Sequence, residues 1–341
     1  MSSTVANHQR SDANLTKGAL AMYQAFSAAQ RWIHVLGAPV GLGITLLLLP
    51  VSASAASPNT WHVGVGTQGF DEAVQGNVFL TQQITVDAGD TVDWTINSGE
   101  PHTVTFLFGA KAPSPFAPGI GPGSVTIPSP SAGQPIVNTG ILSPGQNFSA
   151  TFAEPGTYAY VCLLHAGMAG SVVVNPAATP YPHQQGFYAE RSARESFQIL
   201  SKGLDLWFRG LLSALEGGPK QVTAGIGASL TPRFSGDVFV PRFLPGQRIV
   251  HTGDTVTWTN LDPATPHTVT IGTEPTVLSA TVGSTTVTTA PNATTLSSGF
   301  IGAGFPVGKS FALTFDHAGT YSYYCDLHDD LGMRGTIVVL P

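Results

Sequence analysis

A long-period internal repeat constrains this 341-residue chain more than any other feature. Gly89-Asp90-Thr91-Val92-Asp93-Trp94 returns as Gly253-Asp254-Thr255-Val256-Thr257-Trp258, an offset of 164. Pro101-His102-Thr103-Val104-Thr105 returns as Pro266-His267-Thr268-Val269-Thr270, an offset of 165. Gly156-Thr157-Tyr158-Ala159-Tyr160-Val161-Cys162 returns as Gly319-Thr320-Tyr321-Ser322-Tyr323-Tyr324-Cys325, an offset of 163. Three motifs in the same order at near-constant spacing mean two copies of one domain.

Within each copy the pattern is that of strands. Residues 91–96 alternate apolar and polar, as a half-buried strand does, and 255–258 repeat the alternation. Residues 171–174 and 336–340 read as buried strands that close the copies. Charged residues make up only 10%, while Gly (39) and Pro (26) are plentiful, which favours short strands joined by turns. Stretches rich in Gly, Pro, Ser and Thr near 107–145 and 272–308 read as elaborated loops. The expected fold class is all-β: two antiparallel sandwiches. A net charge of −6 with no block of Lys or Arg argues against a nucleic-acid partner.

The segment between the copies differs. Ala189, Ala193, Phe197, Leu200, Leu204, Phe208, Leu211 and Leu215 recur at steps of three and four, the stripe of an amphipathic helix, and Gly217-Gly218-Pro219 stops it. The stripe is expected to pack on one or both sandwiches; Trp207 and Phe208 beside Lys202 and Arg209 leave membrane or partner contact as the alternative. At the N-terminus a polar stretch precedes an apolar run at 33–49, and Ala53-Ser54-Ala55 fits a cleavage site. Residues 1–55 thus read as a signal peptide or an N-terminal membrane anchor, and either would export the remainder. The expected organisation is 1–55 leader, 56–176 first domain, 177–219 linker with the helix and 220–341 second domain.

Copy one ends in Cys162-Leu163-Leu164-His165-Ala166-Gly167-Met168, or C-x2-H-x2-M. Copy two ends in Cys325-Asp326-Leu327-His328-Asp329-Asp330-Leu331-Gly332-Met333, or C-x2-H-x4-M. With His102 and His267 upstream, each copy offers two imidazoles, one thiolate and one thioether. Thiolate and thioether suit Cu(I), imidazole suits Cu(II) as well, and a His2Cys set with a weak axial Met is the arrangement of electron-transfer copper. Zinc would more often take a second Cys or a carboxylate in place of Met. A Cys162–Cys325 disulfide would account for both cysteines without metal. It would not account for Met168 and Met333, the only methionines beyond the leader, falling in the same two motifs.

On these motifs both copies resemble the cupredoxin (blue copper, plastocyanin/azurin-like) family, over roughly 60–176 and 220–341. The shorter loop is similar to that of amicyanin and the longer to that of plastocyanin. The resemblance implies two Greek-key β-sandwiches joined by the amphipathic helical linker, with one type 1 copper per domain and two per chain. The implied ligands are His102, Cys162, His165 and Met168, then His267, Cys325, His328 and Met333. One departure is that Thr103 and Thr268 follow the first ligand His, where the family commonly has Asn; the Thr hydroxyl is expected to take over part of that hydrogen bonding. In the family the His of the Cys loop has its ring edge near the surface. Leu163 and Leu164 would then form an apolar docking patch, and Asp326, Asp329 and Asp330 an acidic one.

The expected function is an exported double blue-copper electron carrier with redox protein partners. The alternatives are a two-domain copper oxidase or nitrite reductase-like enzyme with an extra inter-subunit copper, and a copper storage or delivery protein. The enzymes are alike in placing His beside the blue-copper Cys. Here Val161, Leu163, Tyr324 and Asp326 occupy those positions, and no H-x-H pair occurs. His62, His183, His251 and His317 read as surface or structural residues. Oligomeric state is open, as is membrane association through the leader or the linker helix.

Overall fold

The structure is a computed structural model that describes residues 58–272, 285–287 and 296–341. The expected leader and much of the loop at 272–308 lie outside the described residues.

The first copy contains β1 (Thr60–Gly69), β2 (Val74–Leu80), β3 (Gln83–Asp87), β4 (Thr91–Ile96), β5 (Thr105–Phe106), β6 (Gly123–Ile127), β7 (Val137–Asn138), β8 (Asn147–Phe152), β9 (Gly156–Val161) and β10 (Ala169–Asn175). Helix α1 (Gln185–Glu216) follows. The second copy contains β11 (Gln221–Ser229), β12 (Asp237–Leu244), β13 (Gln247–His251), β14 (Asp254–Leu261), β15 (Thr270–Ile271), β16 (Thr285–Val287), β17 (Leu296–Ser297), β18 (Ser310–Phe315), β19 (Gly319–Tyr324) and β20 (Arg334–Leu340).

The repeated Gly-Asp-Thr motif is a turn with a built-in clamp. Gly89 and Gly253 take φ of 98° and 87°, a region open to glycine at little cost. The following Asp then satisfies nearby backbone: Asp90 accepts from the N–H groups of Asn59 (2.7 Å) and Asp87 (3.0 Å), and Asp254 from that of His251 (2.9 Å). Beyond the turn, β4 and β14 bury Trp94 and Trp258 completely. Trp94 meets Phe106, Phe148 and Tyr160 in its core, and Trp258 meets Phe311 and Tyr323 in the other.

Each copy is a two-layer sandwich, but the sheets are mixed where an antiparallel sandwich is expected from the sequence. β1 runs parallel to β4, β3 to β10 and β6 to β8. The closing strands also alternate instead of burying every residue: Val172 and Val174, and Ile337 and Val339, point inward, while Leu340 is exposed. One layer of each copy is a separate five-stranded sheet, ordered β3-β10-β9-β5-β7 and β13-β20-β19-β15-β17. The other layers fuse into one ten-stranded sheet, β16-β18-β14-β11-β12-β2-β1-β4-β8-β6. The join is the antiparallel pair β2–β12, in which Gln75 stands opposite Phe239, its own counterpart in the repeat.

Helix α1 lies across this join and touches β1, β2, β11 and β12. The helix runs where the periodicity predicts, but its buried face is displaced from the predicted stripe. Tyr188, Glu195, Ile199, Gly203, Leu206, Gly210 and Ala214 face the sheet, whereas Phe197, Phe208 and Leu215 are exposed. The reason is close approach. A β-carbon on Gly203 would collide with Val74 and crowd Val238, and one on Gly210 would crowd Leu244 and Ile226. Ile199, Leu206, Val74, Val78, Val238, Val240 and Leu244 form a third apolar core over the seam, each fully buried aliphatic side chain contributing roughly 1.5–3 kcal/mol. Among the described residues no helix is long and apolar enough to cross a membrane.

Candidate metal centre

Each set of candidate ligands is assembled from one strand end and one tight loop. His102 forms a two-bond bridge with Leu142 just before β5, and His267 does the same with Ile301 before β15. Cys162 and Cys325 stand immediately after β9 and β19. Their loops close on themselves: Cys162 N–H donates to the Met168 carbonyl and Met168 N–H to that of His165. In the second copy Cys325 N–H donates to Met333 and Met333 N–H to His328. Gly167 and Gly332, at φ 81° and 86°, make the last bend of each loop.

These constraints bring the donors together. Nδ1 of His102 and Nδ1 of His165 are 3.1 Å apart, and Cys162 Sγ lies 3.8 and 3.5 Å from them. In the second copy the Nδ1 atoms of His267 and His328 are 3.2 Å apart, with Cys325 Sγ at 3.9 and 3.4 Å. Met168 and Met333 are buried in the two cores beside their Cys residues. Three donors at this mutual spacing fit one ion held about 2 Å from each nitrogen, and two imidazoles with a thiolate are a donor set suited to copper. The Cys162–Cys325 disulfide is not formed: both thiols are free and buried in separate copies.

The surroundings hold the donors ready. Burial, joined by the neighbouring ring, keeps His102 and His267 well below the ordinary imidazole value; burial lowers His165 to about 4, and burial with His165 nearby lowers His328 to about 3. All four rings are therefore neutral at physiological pH, the form that ligates metal. Burial raises the Cys162 thiol and pushes Cys325 up to about 11, so each sulfur keeps its proton until a cation displaces it. The Thr residues after the first His fasten the Cys loop. Thr103 N–H donates to Cys162 Sγ (3.4 Å) while its hydroxyl accepts from Leu163 N–H (2.8 Å). Thr268 N–H donates to Cys325 Sγ (3.3 Å), and its hydroxyl accepts from Asp326 N–H (2.8 Å).

The two centres are not identical. His102 Nε2 lies 2.9 Å from the Ser98 hydroxyl, a contact that fixes the ring. His267 Nε2 is buried with no protein hydrogen-bond partner. Sequence reasoning also misses Glu100, which is 7% exposed and reaches both centres at once. Its Oε2 lies 3.9 Å from His165 Nε2, and its Oε1 lies 3.7 Å from His328 Nε2. Burial first, then Asp330 and Asp237, push Glu100 up to about 8. The available signal was a break in the repeat: Glu100-Pro101-His102 answers to Thr265-Pro266-His267.

The residues expected to dock partners have the following surroundings. The Nε2 edges of His165 and His328 point to Glu100, and His328 is 3% exposed. Leu163 and Leu164 are half-buried, with Leu164 against the first core. Asp326 accepts from the Thr270 hydroxyl (2.7 Å), Asp329 pairs with Arg334 (2.7 Å), and Asp330 is exposed. The trio is thus divided: Asp326 and Asp329 are engaged by residues of the second copy itself, and Asp330 is left exposed. The remaining histidines among the described residues sit apart: His62 near Asp93, His183 stacked on Phe187, His251 at the end of β13, and His317 beside Asp316.

Comparison with known proteins relates the sequence to copper-binding proteins. A model of copper binding proteins of the plastocyanin/azurin family matches residues 70–175 and 239–340. Plastocyanin from Prochlorothrix hollandica is 29% identical over 151 residues, covering 43% of this chain and 95% of that protein. Plastocyanin from Scenedesmus fuscus is 32% identical over 100 residues, covering 28% and 86% respectively. Among solved structures, a reduced amicyanin mutant aligns at 26% identity over 34% of this chain and 82% of that one, with a TM-score of 0.24.

Proposed function

Because the chain belongs to the copper-binding plastocyanin/azurin family, we propose that it is an exported electron carrier with one type 1 copper in each of its two domains. In this reading residues 1–55 direct export, 56–176 and 220–341 are the carrier domains, and 177–219 join them. His102, Cys162, His165 and Met168 hold one metal; His267, Cys325, His328 and Met333 hold the other. The observation that carries the reading is the pair of nitrogen–nitrogen–sulfur sets, buried but for the partly exposed His165, each with its donors within 4.8 Å of one another.

Bound copper would supply one-electron chemistry between its two oxidation states. The chain's part is to keep its donors still. The cores behind Cys162 and Cys325 exclude water, and the Thr103 and Thr268 hydroxyls tie each Cys loop to the strand that carries the first His. Ser98 orients His102. A site already in place before the electron arrives needs little rearrangement, which suits redox cycling better than metal release. The partners are other redox proteins.

The test is copper content together with visible and EPR spectra of the purified protein. Two coppers per chain, an intense thiolate-to-copper band and type 1 signals alone are expected. Additional copper with a type 2 signal would replace the carrier reading with a copper enzyme.

A further inference from the structure

We propose that Glu100 is a positioning residue that couples the two centres, so that an electron crosses between them through His165, Glu100 and His328. The proposal rests on the carrier reading. It starts from direction: in each copy Nδ1 of the loop His faces the other donors, and Nε2 faces away. The two outward nitrogens converge on opposite oxygens of one carboxylate, at 3.9 and 3.7 Å. With Nδ1 committed to metal, Nε2 of each ring carries its hydrogen, and the two N–H groups flank opposite oxygens of one carboxyl group, at contacts longer than a direct hydrogen bond.

The surroundings enclose this line. Phe239 sets its ring edge-on to His328 at 5.7 Å. Leu331, 5% exposed, packs over Gly99 next to Glu100. Gly99 N–H is held by Gln68 Oε1 (2.5 Å), which fixes the segment that carries Glu100. Arg242 donates both to the Leu331 carbonyl and to the Asp71 carbonyl (2.8 Å), tying the second ligand loop to the first copy. Position 265, the counterpart of Glu100, is Thr, so one carboxylate serves both rings. In the transfer itself one copper gives up a single electron, the other gains it, and no covalent bond forms or breaks.

The experiment uses the full chain loaded with copper at both sites. A radiolytic one-electron pulse reduces one centre, and rapid-freeze EPR follows re-equilibration with the other. Wild type should equilibrate within the molecule, at a rate independent of protein concentration. Glu100→Gln replaces one acceptor oxygen by an NH2 donor that opposes a ring N–H, and should slow this exchange about 10- to 100-fold. Nitrogen NMR of the Cu(I) form supplies a second readout: Nε2 of both His165 and His328 should shift in the variant, with His267 unchanged. Thermal unfolding of the metal-free variant reports whether it folds. An unchanged exchange rate in E100Q, or a shift confined to one ring, overturns the bridge. A wild type whose coppers reduce but never exchange overturns the bridge alone, whereas a wild type without type 1 copper overturns the carrier reading and the bridge with it.

Discussion

Leu331 packs so closely on Gly99 that a β-carbon at position 99 would collide with its side chain. The contact joins the second ligand loop to the segment preceding His102. Leu331→Ala should cost about 2–4 kcal/mol, and Gly99→Ala about 1–3 kcal/mol through overpacking. Because removing Leu331 clears the space that Gly99→Ala needs, the double variant should be more stable than the two losses added together. Urea unfolding of the four proteins measures the coupling; strict additivity would mean that the contact carries no energy.

The displaced face of α1 makes a second prediction. Ile199→Ala removes a fully buried side chain at the seam and should destabilise by about 2–4 kcal/mol. Phe197→Ser, at a residue 73% exposed, should change stability by less than about 0.5 kcal/mol. Equal losses at the two positions would restore the stripe expected from periodicity.

That stripe shows where the sequence stops being legible. The extent of the helix and its Gly217 stop follow from local pattern, as do the candidate His and Cys donors, because C-x2-H-x2-M and C-x2-H-x4-M place Cys and His on one loop. The buried face does not, because Gly203 and Gly210 make contact by having no side chain, which a hydrophobic pattern cannot register. Nor does the β2–β12 join: all seven residues of β2 are buried, leaving no alternation to reveal which strand lies alongside. Glu100 acquires its role from His328, more than two hundred residues away. Loop composition likewise does not register that His165 and His328 turn toward Glu100.

Acidity should stabilise the seam. Asp237 is pushed up to about 7, by burial first and Asp262 second, and burial pushes Asp262 up to about 6. A folded-state value above the unfolded 3.8 means that the native protein binds the proton more tightly. The penalty is therefore full above pH 7 and is relieved as pH falls through 7 and then 6. Asp237→Asn keeps a side-chain oxygen for the Asn77 amide, now 2.9 Å from Asp237, and should gain about 2–4 kcal/mol at pH 8. Its advantage should shrink toward pH 5. Denaturation midpoints across that range check the sign; a gain independent of pH would refute it.

The unequal support of the first histidines should appear in metal affinity. Ser98→Ala frees His102 Nε2 and should weaken copper binding in the first domain by about 10- to 100-fold, with the second unaffected. Chelator competition in Cys325→Ser and Cys162→Ser backgrounds reads each domain separately. Equal weakening at both would show that Ser98 supports the fold as a whole.

Gln75 and Phe239, equivalent residues paired with each other, reproduce inside one chain the self-matching contact of a two-fold dimer. In a true homodimer every residue at the axis occurs twice. A carboxylate at position 100 would meet its own copy there, and two buried like charges would repel. Fusion removes that restriction: the first half keeps Glu100 while the second has Thr265, and only the second carries the two extra loop residues that bring Leu331 over the first. Joining the halves thus allowed a lone carboxyl group to sit where symmetry would have demanded a pair.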